Sequence, residues 1–430
     1  MTLLEKDKNY IWHPFTPLEV DEDPIVIESA QGVYLYTADG KKIIDAVSSW
    51  WVNLHGHSNP VIAKAISEQA RKLEHVIFAG FTHEPAITLA ENLLSVLPKN
   101  QSKIFFSDDG STAVEVGLKM AMQYWHNKGI QTKTKIVALE GAYHGDTFGA
   151  MSVGARDVFN QAFNRYLFNV DFIDFPNNQN EEKILSDFRK LVSREDVAAF
   201  IFEPLVQGAA GMRMYSPHIL DQLISIANEY EVICIADEVF TGFGRTGRFF
   251  ACDYLKNRPD IFALSKGITG GSLPLGATSC SSKVASAFQS SESSRTLYHG
   301  HSYTANPIAC AAANASFKLL ISVECKSAIE TINKSLENFK ANVSGFSVIK
   351  DVRVCGTILA IELMTNDTSS YYNPIRKKIY SHFLSKGILV RPLGNVMYIV
   401  PPYIISMEEL QLIQSEIVQF ISLISGKKSS

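Results

Sequence analysis

Between residues ~100 and ~320, short apolar runs of strand length alternate with runs of helical periodicity, and this alternation limits the fold more than any other feature. Strand–helix–strand succession builds a mainly parallel sheet covered by helices, an α/β architecture. The pattern predicts strands over Lys103–Ser107, Ile136–Leu139, Ala198–Glu203, Val232–Ala236 and Ile261–Ser265. Their apolar character is continuous rather than alternating, as suits strands buried on both faces. Helical runs such as Ala113–Trp125 and Pro217–Glu229 lie between them.

The flanks read differently. Past residue 320, Val348–Leu363 reads as strands, Arg376–Leu384 as a helix, Gly387–Val390 and Met397–Val400 as strands, and Met407–Leu423 as a final helix. Near the start, Ile25–Glu28, Val33–Tyr36 and Lys42–Ile44 predict a small antiparallel sheet. The expected organisation is therefore an N-terminal segment (1–55) that joins a C-terminal α+β domain (321–430), with a large domain over 56–320. A chain of 430 residues exceeds one compact core, in keeping with roughly two or three units.

Charge and cysteine use exclude several classes. The formal net charge of −4 argues against a nucleic-acid binder, which needs a basic face. The six cysteines form no C-x-x-C pair and suggest neither a disulfide framework nor a zinc site. Two H-x-H pairs, His55/His57 and His299/His301, lack a companion ligand at useful spacing, so no metal is expected. Charged residues occupy the N-terminus where a signal peptide needs an apolar run. The uncharged stretch Leu297–Phe317 is too polar for a membrane span of about 20 apolar residues. A soluble, cytoplasmic protein is the expectation.

In an open α/β sheet, ligands gather beyond the carboxyl ends of the strands. Three motifs fall there. In Phe105–Glu115 a strand ends, Gly110-Ser111 follows and a helix opens, with Thr112 and Glu115 at capping-box spacing. The free N–H groups of such a helix start suit a phosphate, although an ordinary capped helix has the same pattern. Asp237 closes a buried strand and needs a partner: a protonated ring nitrogen, a metal or an arginine. Lys266 ends another apolar strand inside a glycine-rich turn. Burial lowers a lysine pKa and frees the neutral amine to attack an aldehyde, while a lysine at a loop mouth is the plainer alternative. The G-x-G-x-x-G of residues 242–247 does not sit between a strand and a helix, so it reads as a turn that positions Arg245, not as a dinucleotide site.

Together, Gly110-Ser111, Asp237 and Lys266 resemble, in order and spacing, fold-type I pyridoxal-phosphate enzymes. Glu203-Pro204, Asp237-Glu238-Val-Phe-Thr241-Gly-Phe-Gly-Arg245-Thr-Gly and Leu264-Ser-Lys266-Gly are similar to the class III (ω-type) aminotransferase signature. Ile11-Trp-His-Pro14, Trp50-Trp51, Ala142-Tyr143-His144-Gly, Arg391-Pro-Leu-Gly394 and Tyr398-Ile-Val-Pro401 narrow the resemblance to the branch that serves biotin biosynthesis. It runs from about residue 10 to about 405, nearly the whole chain.

The resemblance implies pyridoxal 5′-phosphate as cofactor and a homodimer with shared active sites. Lys266 would hold the cofactor and shuttle a proton; Asp237 would hold the ring nitrogen protonated; Gly110 and Ser111 would seat the phosphate; Tyr143 would stack on the ring. His301 and Ser302 would reach the phosphate in the neighbouring subunit. Trp50, Gly300 and Arg391 would line the substrate site, with Tyr398 and Arg245 assisting. The implied reaction takes an amino group from S-adenosylmethionine and gives it to 8-amino-7-oxononanoate. Two departures stand out. Phe15 replaces the usual tyrosine after Trp-His-Pro, which leaves lysine open as an alternative donor. His301-Ser302 stands where Pro-Thr is common, and Ser302 keeps a hydroxyl.

Overall fold

The protein was analysed as a computed structural model, which describes residues 1–19, 22–157, 159–365 and 372–426. Seven strands form its largest sheet: β1 (Gln101–Ser107), β2 (Lys135–Leu139), β3 (Asp171–Ile173), β4 (Val197–Phe202), β5 (Ile233–Asp237), β6 (Ile261–Leu264) and β7 (Gly276–Ser281). Their spatial order is β1-β7-β6-β5-β4-β2-β3. Strand β7 runs antiparallel to both neighbours; every other pairing is parallel. Hence Ser107, Leu139, Phe202, Asp237 and Leu264 all finish at one end of the sheet.

The predicted apolar strands all occur, with ends shifted by a residue or two. Every residue of β4, β5 and β6 is buried, so the Val/Ile/Phe/Ala runs reflect helices packed on both faces. Two strands carried no such signal. Strand β3 is three residues at the sheet edge. Strand β7, Gly-Ala-Thr-Ser-Cys-Ser, is wholly buried yet polar. Its hydroxyls are satisfied internally: Thr278 donates to the Ala113 carbonyl at 2.7 Å and Ser279 to Oε1 of Gln101 at 2.6 Å. Its small side chains let the helix Gly110–Asn127 (α1) approach, and a Cβ on Gly117 would come within 3.3 Å of Ile261.

A second hydrophobic core joins the two ends of the chain. Strands Ile27–Gln31, Tyr34–Thr37 and Lys42–Asp45 form an antiparallel meander, and Ile388–Leu389 adds to it parallel to Lys42–Asp45. A three-stranded antiparallel sheet (Ile349–Cys355, Ile358–Leu363, Val396–Ile399) lies with helices Val323–Val343, Ile375–Ser385 and Met407–Ile424 around the same core. Val33, Ile44, Leu336, Phe383 and Ile413 pack within it. Among the described residues, no single helix is long and apolar enough to cross a membrane. All six cysteines are free.

Candidate active site

A cavity of about 550 Å³ opens beyond the carboxyl ends of the large sheet. Gly110, Ser111, Tyr143, Asp237 and Lys266 line it, as do Phe15, Trp50, Arg391 and Tyr398. Nine of the thirteen residues singled out from the sequence thus meet in one space, although they come from positions 15 to 398.

Helix α1 opens onto this cavity. Its cap differs from the expected Thr112/Glu115 pair. Asp109 accepts the Thr112 N–H at 2.8 Å and donates its own N–H to the Thr112 hydroxyl at 3.1 Å, so the helix starts one turn earlier. Glu115 instead accepts from the Thr147 hydroxyl at 2.6 Å and the Gly149 N–H at 2.7 Å, fixing the start of the short helix Phe148–Ser152. Gly110 and Ser111 occupy the first turn, where backbone N–H groups lack intrahelical partners. A side chain cannot replace Gly110, because its Cβ would sit 2.7 Å from Val239. The seat therefore keeps bare backbone facing a ligand.

Asp237 ends β5 and is buried. Its protein partner is a histidine, not an arginine: Nδ1 of His144 lies 2.7 Å from Oδ2, and the Val239 N–H donates to Oδ1 at 3.0 Å. Tyr143 hangs beside this pair. Its N–H donates to Glu203 at 3.0 Å and its hydroxyl to Asp146 at 2.9 Å, and burial followed by the Asp146 charge raises its pKa. Glu203 also accepts the Gly208 N–H at 3.0 Å; burial pushes its pKa up to about 7.

Lys266 follows β6 with φ of 43°, a left-handed conformation uncommon outside glycine. Its Nζ lies 5.0 Å from the Trp51 ring centroid and 5.8 Å from that of Phe240. Desolvation holds the amine below its ordinary pKa, partly offset by Asp237 and Glu203. Loss of a proton leaves the nucleophilic form that carbonyl chemistry requires.

The far wall is aromatic. Phe15 meets Trp50 edge-on at 5.5 Å and Phe159 at 5.9 Å. The Arg391 guanidinium lies 4.2 Å from the Trp50 ring centroid. Trp51 donates its indole N–H to the Tyr398 hydroxyl at 3.1 Å.

Four expected site residues lie elsewhere. Arg245 does not reach the cavity: its guanidinium is buried, donates to the carbonyls of Pro401 (2.8 Å) and Asn53 (3.1 Å), and faces the Tyr403 ring at 4.9 Å. The role of the 242–247 turn is thus to bury a cation between two segments, not to offer it to substrate. Gly300, His301 and Ser302 do not line the cavity of their own chain. His301 Nε2 comes within 3.9 Å of Asp108 at its rim. Glu203, Trp51 and His144 stood in the sequence reading only as motif residues without a role, and Asp146 and Phe159 received none either. His144 and Glu203 carried a usable signal, since each follows closely on a strand at the ligand end of the sheet.

The residues suit a phosphorylated aromatic aldehyde. Bare backbone at a helix start would receive the anion, the Asp237 carboxylate would face a ring nitrogen, Tyr143 would cover the ring, and Lys266 supplies the amine. The class III aminotransferase family profile matches residues 16–421. The chain belongs to the class III aminotransferases.

Particular relatives agree. The protein of Synechococcus elongatus named adenosylmethionine-8-amino-7-oxononanoate aminotransferase is 46% identical, with 96% of this chain and 98% of that one aligned. A namesake from Aquifex aeolicus is 37% identical, covering 96% and 95%. The crystal structure of the same-named enzyme from Methanocaldococcus jannaschii superposes with a TM-score of 0.93 at 36% identity, covering 98% of each chain. The ω-transaminase of Pseudomonas jessenii, solved in complex with PMP, gives 0.93 at 25% identity and full coverage of both chains. This class III aminotransferase is a pyridoxal-phosphate-dependent transaminase.

Proposed function

We propose that this aminotransferase moves the amino group of S-adenosylmethionine to the 7-keto carbon of 8-amino-7-oxononanoate, giving the 7,8-diaminononanoate of biotin biosynthesis in a two-stage cycle. The observation that carries this reading is the Arg391–Trp50 stack, which puts a cation at the end of an aromatic wall inside the Lys266 cavity. The acceptor has that chemistry: an aliphatic chain for the indole and a terminal carboxylate for the guanidinium.

Bound pyridoxal phosphate supplies an electron sink for the pair released at the amino acid Cα. Lys266, whose burial holds its amine below the ordinary lysine pKa, would hold the cofactor and carry the proton removed from the substrate Cα in each half-reaction. Asp237, oriented by His144 and the Val239 N–H, would keep a proton on the ring nitrogen. Gly110 and Ser111 would hold the phosphate, and Tyr143 would cover the ring and exclude water. Gly300, His301 and Ser302 act in a second copy of the chain, the first lining its substrate site and the others completing its phosphate seat, so the working unit is a homodimer.

One feature favours a second donor. Phe15 adds no hydroxyl to the wall it forms with Trp50, and free lysine is the alternative amino source. The test is the absorbance spectrum of the purified holoenzyme before and after S-adenosylmethionine alone, followed by 8-amino-7-oxononanoate. Loss of the yellow band with the first addition and its return with the second is expected. A yellow band unmoved by S-adenosylmethionine but lost with lysine replaces the donor; a bleached band that 8-amino-7-oxononanoate does not restore, with no 7,8-diaminononanoate formed, overturns the reaction.

A further inference from the structure

The segment that carries Trp50 and Trp51 is backbone-strained. Ser48, Ser49 and Trp51 have φ of 52°, 60° and 66°, so three non-glycine residues out of four adopt left-handed values. Such conformations persist only where surrounding contacts impose them. Here the contacts converge on Asp45, a fully buried carboxylate outside the cavity lining. Its Oδ2 accepts the Ser49 N–H at 2.6 Å, the Ser49 hydroxyl at 3.1 Å and Nε2 of His57 at 2.9 Å, while Oδ1 accepts the Val47 N–H at 3.2 Å. The turn is pinned from outside as well. Ser48 donates to the Val400 carbonyl at 2.7 Å, and Arg245 donates to the Asn53 carbonyl. Arg245 also feels the Asp45 charge directly. A buried carboxylate with four donors aimed at it is satisfied in hydrogen bonding, and bonds to a carboxylate are the strong ones.

We infer that Asp45, held by His57, is a positioning residue that fixes the strained 47–51 turn and thereby sets acceptor specificity, by holding Trp50 under Arg391 and Trp51 against Tyr398. Asp45 touches neither substrate nor cofactor. It acts through the register of the indoles, so its loss is felt far more in recognition of the acceptor than in the lysine chemistry, which meets only the Trp51 ring, 5.0 Å from Nζ. This rests on the reading that Trp50 and Arg391 receive the acceptor's chain and carboxylate.

The experiment compares four holoenzymes with the wild type: Asp45→Asn, Asp45→Asn combined with Ser49→Gly, His57→Gln and His57→Ala. Both half-reactions are followed at the yellow band, and KM and kcat are measured for 8-amino-7-oxononanoate. Asp45→Asn is expected to raise acceptor KM about tenfold or more, because displacements near 1 Å are costly in oriented sites, while the donor half-reaction stays within about threefold. Ser49→Gly, which makes a positive φ inexpensive, is expected to restore most of that KM in the double variant. His57→Gln, which keeps an N–H donor, stays near wild type; His57→Ala follows Asp45→Asn. Unchanged acceptor KM in Asp45→Asn, or a parallel loss of both half-reactions that Ser49→Gly does not repair, overturns the inference. If Asp45→Asn does not yield holoenzyme, the His57 pair decides: equal KM in His57→Gln and His57→Ala overturns it. A wild type that fails to aminate 8-amino-7-oxononanoate sinks the proposed function instead, so the two failures are separable.

Discussion

His144 and Asp237 form a buried pair 2.7 Å apart beneath the cavity, and the second ring nitrogen of that histidine has no hydrogen-bond partner among the described residues. The pair couples the end of β5 to the segment that carries Tyr143, so the carboxylate and the covering ring are held by one contact. Asp237→Asn removes the charge that a ring nitrogen's proton needs. Stopped-flow of the donor half-reaction is expected to slow by about 10²-fold or more, the scale of removing one electrostatic group that faces charge developing in the transition state. Retention of the wild-type rate in a variant that still binds cofactor contradicts the assignment.

Lys266→Ala is expected to abolish steady-state transamination while leaving the fold intact, since the side chain makes no hydrogen bond or ion pair among the described residues. The cofactor then binds reversibly and washes out on dialysis. Measurable multiple turnover in this variant refutes the role given to the lysine.

Arg391→Ala separates recognition from chemistry. It loses a charge-assisted grip worth about 1.5–3 kcal/mol, so kcat/KM for the acceptor falls roughly 10- to 150-fold. Arg391→Lys recovers only part, because an ammonium lacks the planar fork that lies on Trp50. The donor half-reaction serves as the control and changes little.

Glu203 and Glu238 give a pH dependence of stability with a definite sign. Burial pushes both carboxyls up to about 7 from an ordinary 4.5. A carboxyl whose folded pKa exceeds its unfolded value binds a proton on folding, so its destabilising contribution is absent below pH 4.5, grows through the window and is complete above 7. Thermal unfolding of the apoprotein is expected to show Tm falling between pH 5 and 7. Glu203→Gln lowers Tm overall by loss of an acceptor for the Tyr143 or Gly208 N–H, and flattens that slope. An unflattened slope contradicts the assignment to Glu203.

Much of this was legible from the chain. Strands such as Ile233–Asp237 announce themselves because burial on both faces demands unbroken apolar runs, and the polar residue that ends each run marks the ligand side. Strand β7 stayed hidden because its interior hydroxyls bond to Ala113 and Gln101, a pairing that sequence periodicity does not encode. Arg245 was misplaced for a related reason: a motif tells that an arginine sits in a turn, whereas only tertiary contacts tell that Pro401 and Asn53 surround it. The strained turn at Ser48 and Ser49 had no glycine to betray it. The helix cap was missed by three residues because Asp109 and Thr112 compete for the same role.

The pairing of Ile388–Leu389 with Lys42–Asp45 has a consequence for biosynthesis. Strands β1 to β7 have all left the ribosome once residue 281 is clear, yet the meander before them awaits its fourth strand until the chain is nearly complete. Ser48 finds its acceptor, Val400, 352 residues downstream. A nascent chain therefore has Gly110, Ser111, Asp237 and Lys266 on its sheet well before Arg391 and Tyr398 are made, and on the roles proposed above a premature stop after residue 302 leaves a lysine and a phosphate seat with no means of choosing what they react with.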